Sequence, residues 1–258
     1  SELFEENTKD RLKILQNILL NLEASDELDF IVVAFLGIIR RVSKAYDGEV
    51  RPHINKEKKV REVISAFSKK INDMISDHIK YMDITNSNTF ATCYVGNNLD
   101  LPDTIKEKNI YLVISHPPYL NSFNYSPIFS LELYWGKVFE KNYSPLVSLY
   151  KEEMKAHPAS ESITEQYFNH LRDCYTQTFN IQKNGDYLAV VIGDCTRKGE
   201  LIPVLKNTQK IIEEIGYKTI MLNYRTTHYG LGKYAYKHRA DYHDDINGKK
   251  DGILIFQK

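Results

Sequence analysis

The chain has 258 residues, with 34 Lys plus Arg balanced by 34 Asp plus Glu, 42% hydrophobic and 26% charged residues. That composition excludes a disordered or fibrous chain, and the zero net charge excludes a globally basic nucleic-acid coat while leaving room for a local basic face. No run reaches about 18 consecutive apolar residues, the length a membrane span needs.

The N-terminus, Ser-Glu-Leu-Phe-Glu-Glu, lacks the apolar segment of a signal peptide, and three scattered cysteines, Cys93, Cys174 and Cys195, fit a reducing, cytoplasmic compartment without a disulfide framework. The chain starts on Ser, which fits a processed product or a piece of something longer. Its 18 tyrosines and 11 phenylalanines read first as core.

Residues 1–88 read as a helical region. Leu12, Leu15, Ile18, Leu19 and Leu22 recur at helical spacing. A second apolar stripe, from Leu28 to Val42, follows Ser25 and Asp26, a capping pair, and Asp47-Gly48 with Pro52 then breaks the pattern. A third helix is predicted from about Lys56 to Met82, with Val60, Val63, Ile64, Phe67, Ile71, Met74 and Ile75 on one stripe.

Residues 89–258 change grammar. Strands are predicted over 89–95, 109–115, 187–192, 217–224 and 253–256, and helices from Ser126-Pro127 to Gly136, over 162–183 and over about 201–215. Residues 142–160 look irregular, and 225–250 form a polar loop rich in Tyr and His. This alternation predicts an α/β doubly wound sheet, with one of the last two strands as an antiparallel edge because no helix joins them.

In such sheets ligands sit beyond the carboxyl ends of the strands, and Ser115-His116-Pro117-Pro118-Tyr119 lies at such an end. Two prolines stiffen the backbone and remove two N–H donors. What is left is a rigid turn offering carbonyl acceptors beside the flat face of Tyr119. Those are the means to hold an exocyclic amino group of a flipped base. A Pro-Pro turn that merely closes a buried strand is the plain alternative.

This segment resembles the motif of amino-directed S-adenosyl-L-methionine-dependent methyltransferases, in which Asp, Asn or Ser precedes Pro-Pro and an aromatic. The wider stretch 113–125, with Leu131-Glu-Leu-Tyr-Trp-Gly136, is similar to site-specific DNA methylases carrying Ser-Pro-Pro-Tyr. Gly96-Asn-Asn-Leu-Asp-Leu-Pro102, the strand segment Gly185–Asp194 and the helix ending Arg40-Arg41-Val-Ser43 resemble weaker features of the same group.

The resemblance implies a partial Rossmann-like methyltransferase sheet, strands three to seven, joined to the N-terminal helical region. It implies methyl transfer from S-adenosyl-L-methionine to cytosine N4, favoured over adenine N6, of DNA, as in restriction–modification. The implied catalytic residues are His116, Pro117, Pro118 and Tyr119, and the implied cofactor contacts are Asn97, Asn98, Leu99 and Ser115.

Two departures qualify it. His116 stands where Ser, Asn or Asp is usual, and an imidazole accepts a hydrogen bond only when neutral. The Gly-rich cofactor loop of the family is missing as well, since the one Gly-x-Gly, Gly230-Leu-Gly232, lies in the late polar loop. The expectation is a split enzyme in which a second polypeptide supplies the first strands and that loop, leaving an apolar sheet edge exposed on this chain. A catalytically inactive methyltransferase-like subunit and an RNA methyltransferase are the alternatives.

The stretch 225–239 combines basic, aromatic and glycine residues, and with the methylase resemblance points to DNA backbone contacts through Arg225, His228, Lys233 and Arg239. His228, His238, His243 and Asp244 match no standard zinc spacing, so no metal site is expected.

Overall fold

The computed structural model describes residues 2–47, 51–85, 91–94, 96–122, 124–141, 153–226 and 250–258. The chain forms two compact units, Ser1–Val95 with Tyr125–Lys151, and Gly96–Asn124 with Glu152–Lys258.

The first unit is helical. Helix α1 (Glu6–Leu20) buries Leu12, Leu15 and Leu19. Helix α2 (Asp26–Ile38) begins where Ser25 Oγ accepts from the Leu28 amide, a cap contributing about 1 kcal/mol. Helix α3 (Val63–Ile84) starts seven residues later than the predicted start near Lys56, because the Glu62 carboxylate caps the Ile64 and Ser65 amides there. That cap holds Glu62 below the usual carboxylate range.

A short helix, α4 (Asp103–Lys106), belongs to the second unit. The predicted helix 126–136 returns to the first unit as two pieces, α5 (Tyr125–Ile128) and α6 (Ser130–Gly136), broken at Phe129. Trp135 from α6 packs edge-on against Phe4 and Phe35, at ring separations of 5.7 and 6.4 Å. Gln16 donates to the Trp135 carbonyl at 2.7 Å, tying α6 to α1. Each fully buried apolar side chain in this cluster, such as Phe35, Ile38 or Leu12, contributes roughly 1.5–3 kcal/mol of transfer free energy.

Among the described residues, the second unit is built on a mixed four-stranded sheet in the order β1-β2-β6-β5. Its strands are β1 (Leu112–Ser115), β2 (Tyr187–Ile192), β5 (Lys218–Thr226) and β6 (Lys250–Gln257). Strands β1 and β2 are parallel, and β6 runs antiparallel to both its neighbours. The antiparallel strand is therefore interior, and the edge falls to β5. A hairpin, β3 (Cys195–Arg197) and β4 (Glu200–Ile202), replaces the first turn of the helix predicted from residue 201. Helix α8 (Val204–Ile215) then starts after Pro203.

Helix α7 (Glu161–Ile181), capped by Ser160, and α8 pack together on one face of the sheet. Leu188, Val190, Ile192, Leu254 and Phe256 point into that core beside Tyr167, Leu171, Tyr175 and Ile212. On β1 the alternation is plain: Val113 packs toward the core, whereas Leu112 and Ile114 are 46% and 73% exposed. Among the described residues, α7 and α8 thus lie on the same side of the sheet.

Of the strand expected over 89–95, residues 91–94 alone lie among the described residues. Residues 91–94 carry no regular structure, and β1 pairs with β2 alone among the described residues, so the sheet has four strands where five were expected. No helix among the described residues is long and apolar enough to cross a membrane.

Candidate functional site

Strand β1 delivers the chain to the Pro-Pro turn at its carboxyl end. The turn borders a cavity of ≈ 480 Å³, within the usual range for small-molecule sites. Four segments of the second unit wall it, one of them contributing Met154 alone. Asn97, Asn98, Leu99 and Leu101 come from one loop, Val113 to Pro118 from β1 and the turn, and His170, Leu171, Cys174, Tyr175 and Thr178 from α7.

The loop is fixed locally. The Asn97 side-chain oxygen accepts from the Leu99 amide at 3.0 Å, and its carbonyl accepts from the Asp100 amide at 3.0 Å. All four residues read as cofactor contacts, Asn97, Asn98, Leu99 and Ser115, therefore line one cavity together with His116, Pro117 and Pro118.

Tyr119 lies just beyond it. Its hydroxyl is 3.0 Å from His116 Nε2, and the two rings meet edge to face at 5.1 Å. If Nε2–H is the donor, the lone pair of the neutral imidazole sits on Nδ1, which keeps the ring able to accept from an amine. If the tyrosine donates, Nε2 is the acceptor and is already engaged.

The turn is held from below. Tyr167, fully buried, donates to the Pro118 carbonyl at 2.7 Å, and Tyr175 Oη lies 3.1 Å from Ser115 Oγ. Among the described residues none donates to the Pro117 carbonyl. On the far side Asn121, in a left-handed conformation at φ 61°, is bonded to three places. Its amide donates to the Ala156 carbonyl, Nδ2 to the Thr196 carbonyl at 2.8 Å, and Oδ1 accepts from the Ala159 amide at 3.1 Å. Sequence reasoning missed Tyr167, Tyr175, His170, Cys174 and Asn121. The spacing of Tyr167, Leu171 and Tyr175 signals only a buried helical face, and their meeting with the turn is a tertiary fact.

Burial, then the nearby Asp173 carboxylate, pushes the Cys174 thiol up to about 11, and burial with Asp194 pushes Cys195 to about 12. A thiol reacts as its thiolate, so raising the pKa suppresses alkylation until the pH climbs toward it. At pH 8, iodoacetamide is expected to label the exposed Cys93 first and Cys174 on the order of 100-fold more slowly, as read by peptide mass mapping. Equal rates at both would show Cys174 to lie in open, polar surroundings instead.

Of the four expected nucleic-acid residues, Arg225 alone lies among the described residues. Arg225, at the end of β5, donates through Nε and Nη2 to Asp251 Oδ2 at 3.2 and 3.1 Å, and Asp251 is 1% exposed. Its guanidinium thus already has a carboxylate partner. His228, Lys233 and Arg239, with Gly230, Gly232, His238, His243 and Asp244, lie outside the described residues.

No family model matches the chain, and no curated protein sequence matches it. Among solved structures it is similar to TTHA0409 of Thermus thermophilus, assigned as a DNA modification methylase. With the selenomethionine form the identity is 14% over 63% of this chain and 50% of the other, at a TM-score of 0.35. With the form complexed with S-adenosyl-L-methionine it is 15% over 64% and 54%, at 0.37. The chain spans about half the length of the structures it matches.

Proposed function

We propose that this chain is the base-binding part of a split DNA amino-methyltransferase, and that a second polypeptide supplies the Gly-rich loop of the cofactor site. The observation that carries the reading is the Pro-Pro turn at the carboxyl end of β1, opening on a cavity that also gathers Asn97, Asn98, Leu99 and Ser115.

S-adenosyl-L-methionine, when bound, supplies a methyl group already activated on a sulfonium. The cavity's mixed lining, apolar Leu99, Leu101 and Val113 with polar Asn97, Asn98 and Ser115, suits the adenosine part of such a ligand. The Pro117 carbonyl and the His116 ring accept hydrogen bonds from the target amine, so positive charge developing on that nitrogen meets fixed acceptors. Tyr119 stacks on the base, and Asn121 and Tyr167 keep the turn from shifting. Cytosine N4 is favoured over adenine N6 by the likeness to the Ser-Pro-Pro-Tyr type. The stretch 225–239, with Arg225, His228, Lys233 and Arg239, is the proposed contact to DNA phosphates. The domain assignment that goes with this reading is a helical region over 1–88 and a methyltransferase half-domain over 89–258.

A second reading, a catalytically inactive methylase-like subunit, is favoured by the His116–Tyr119 hydrogen bond, which joins the two side chains that would have to receive the base.

Labelled-methyl transfer to duplex DNA and to RNA separates the readings, using the chain alone and mixed with a polypeptide carrying a strand followed by a Phe-x-Gly-x-Gly loop. The mixture is expected to label DNA, and His116→Ala and Tyr119→Ala to lower the rate by about 100-fold or more. DNA binding with no methyl incorporation in any mixture would establish the inactive subunit. Incorporation into RNA alone would make the enzyme an RNA methyltransferase.

A further inference from the structure

We propose that Tyr167 and Tyr175 are positioning residues, two buried hydroxyls of α7 that hold the turn at its two ends and so fix the Pro117 carbonyl between them. The proposal rests on the base-binding reading of the turn and adds the device that makes the turn rigid.

A chain of two prolines has no N–H with which to tie itself to its surroundings. Its remaining handles are carbonyl oxygens and flanking side chains, and these need donors from elsewhere. Helix α7 supplies them. Tyr167 donates to the Pro118 carbonyl at 2.7 Å, and Tyr175 pairs with Ser115 Oγ at 3.1 Å.

The spacing fits. Eight residues of helix rise about 12 Å, and three residues of extended chain span roughly 10 Å. The two hydroxyls can therefore meet the two ends of the 115–118 segment while the helix runs antiparallel to it.

Core filling alone does not account for these residues. Phenylalanine would fill the same volume without burying a hydroxyl, which is costly unless bonded. Tyr167 and Tyr175 are 0% and 3% exposed. Burial also raises both hydroxyls well above the ordinary tyrosine range, so they remain protonated donors at any physiological pH. Tyr175 also lines the cavity and Tyr167 does not, so Tyr167 acts only through the turn.

The test uses Tyr167→Phe and Tyr175→Phe in the full chain, with Tyr217→Phe as the control. Tyr217 is buried in the same core and donates to Gln182 at 2.6 Å, away from the turn. Imidazole nitrogen resonances of His116, assigned with His116→Gln, are expected to shift in Tyr167→Phe and Tyr175→Phe and to stay in place in Tyr217→Phe, at similar losses of thermal stability. In the methyl-transfer assay, kcat is expected to fall about tenfold in Tyr167→Phe while KM for DNA is held, as misplaced reacting groups dictate.

If Tyr167→Phe leaves His116 unmoved and behaves as Tyr217→Phe does, the positioning role is overturned. If the wild-type mixture transfers no methyl group, the functional reading fails, and the His116 resonances alone still decide whether the tyrosines set the turn.

Discussion

Gly252→Ala is expected to destabilise the second unit by about 1–3 kcal/mol, and Gly252→Val by more, through overpacking. Gly252 sits on β6 opposite Ile192, in the interior of the sheet. A Cβ there would come within 1.8 Å of Leu205 Cδ1 and 3.1 Å of Leu205 Cγ. Leu205 has little room to retreat. It is 5% exposed in the first turn of α8, and its amide is held by Asp194 Oδ1 at 2.7 Å. Relief therefore requires either an off-rotamer leucine or a shift of the helix start that breaks the cap. Urea denaturation measures the loss. The double variant Gly252→Ala/Leu205→Ala should be more stable than the sum of the single losses predicts, because the second change removes the atom that clashes. Strict additivity would place the cause elsewhere. Gly199 offers the contrast: no atom lies within 4 Å of its Cβ position, so Gly199→Ala meets only the backbone cost of φ +85°, about 1 kcal/mol.

The parts legible in the sequence are those whose signals are local. Ser25 before an apolar stripe marks a cap without knowledge of the rest, and the run 187–192 ends between Gly185-Asp186 and Gly193-Asp194, so strand β2 was readable to the residue. The rigid turn after β1 was readable for the same reason, since two prolines act on their own backbone. Residues 89–95 show the limit. Thr, Phe, Cys, Tyr and Val suit a strand, but strand residues report a fit to neighbours that composition does not contain, and residues 91–94 carry no regular structure. The β3–β4 hairpin hid for a different reason. Its turn needs two positive φ values, and these fall on Lys198 and Gly199, at 50° and 85°, where lysine gives no warning.

The candidate site divides in the same way. The turn and the Asn97–Leu99 loop are contiguous segments and could be read, whereas their convergence on one cavity could not. The α7 wall was invisible because Tyr167 and Tyr175 look like any buried helical pair until the turn is placed over them. Arg225 was read as a phosphate contact from its basic surroundings. Its pairing with Asp251, 26 residues later in the chain, depends on β5 and β6 being neighbours.

If a second polypeptide extends the sheet at β1 as proposed, Ile114→Asp is expected to leave the stability of the chain nearly unchanged and to weaken that assembly by at least about 100-fold. A residue 73% exposed contributes little to its own fold, so the substitution should move the unfolding free energy by no more than about 0.5 kcal/mol. The free side of β1 gives the reason for the second effect. Leu112 and Ile114 present apolar surface beside a strand whose outer backbone groups have no ladder partner among the described residues. Covering Ile114 returns roughly 1.5–3 kcal/mol, and a carboxylate forced into the same contact adds a desolvation cost of its own. Together they exceed the roughly 2.7 kcal/mol that corresponds to 100-fold in affinity. Calorimetric titration of the partner polypeptide into wild type and variant reads the difference, with Ile114→Val as a control that keeps the contact apolar. Binding left intact in Ile114→Asp would mean that the second polypeptide does not extend the sheet at β1, and the cofactor loop would then have to reach the turn by another route.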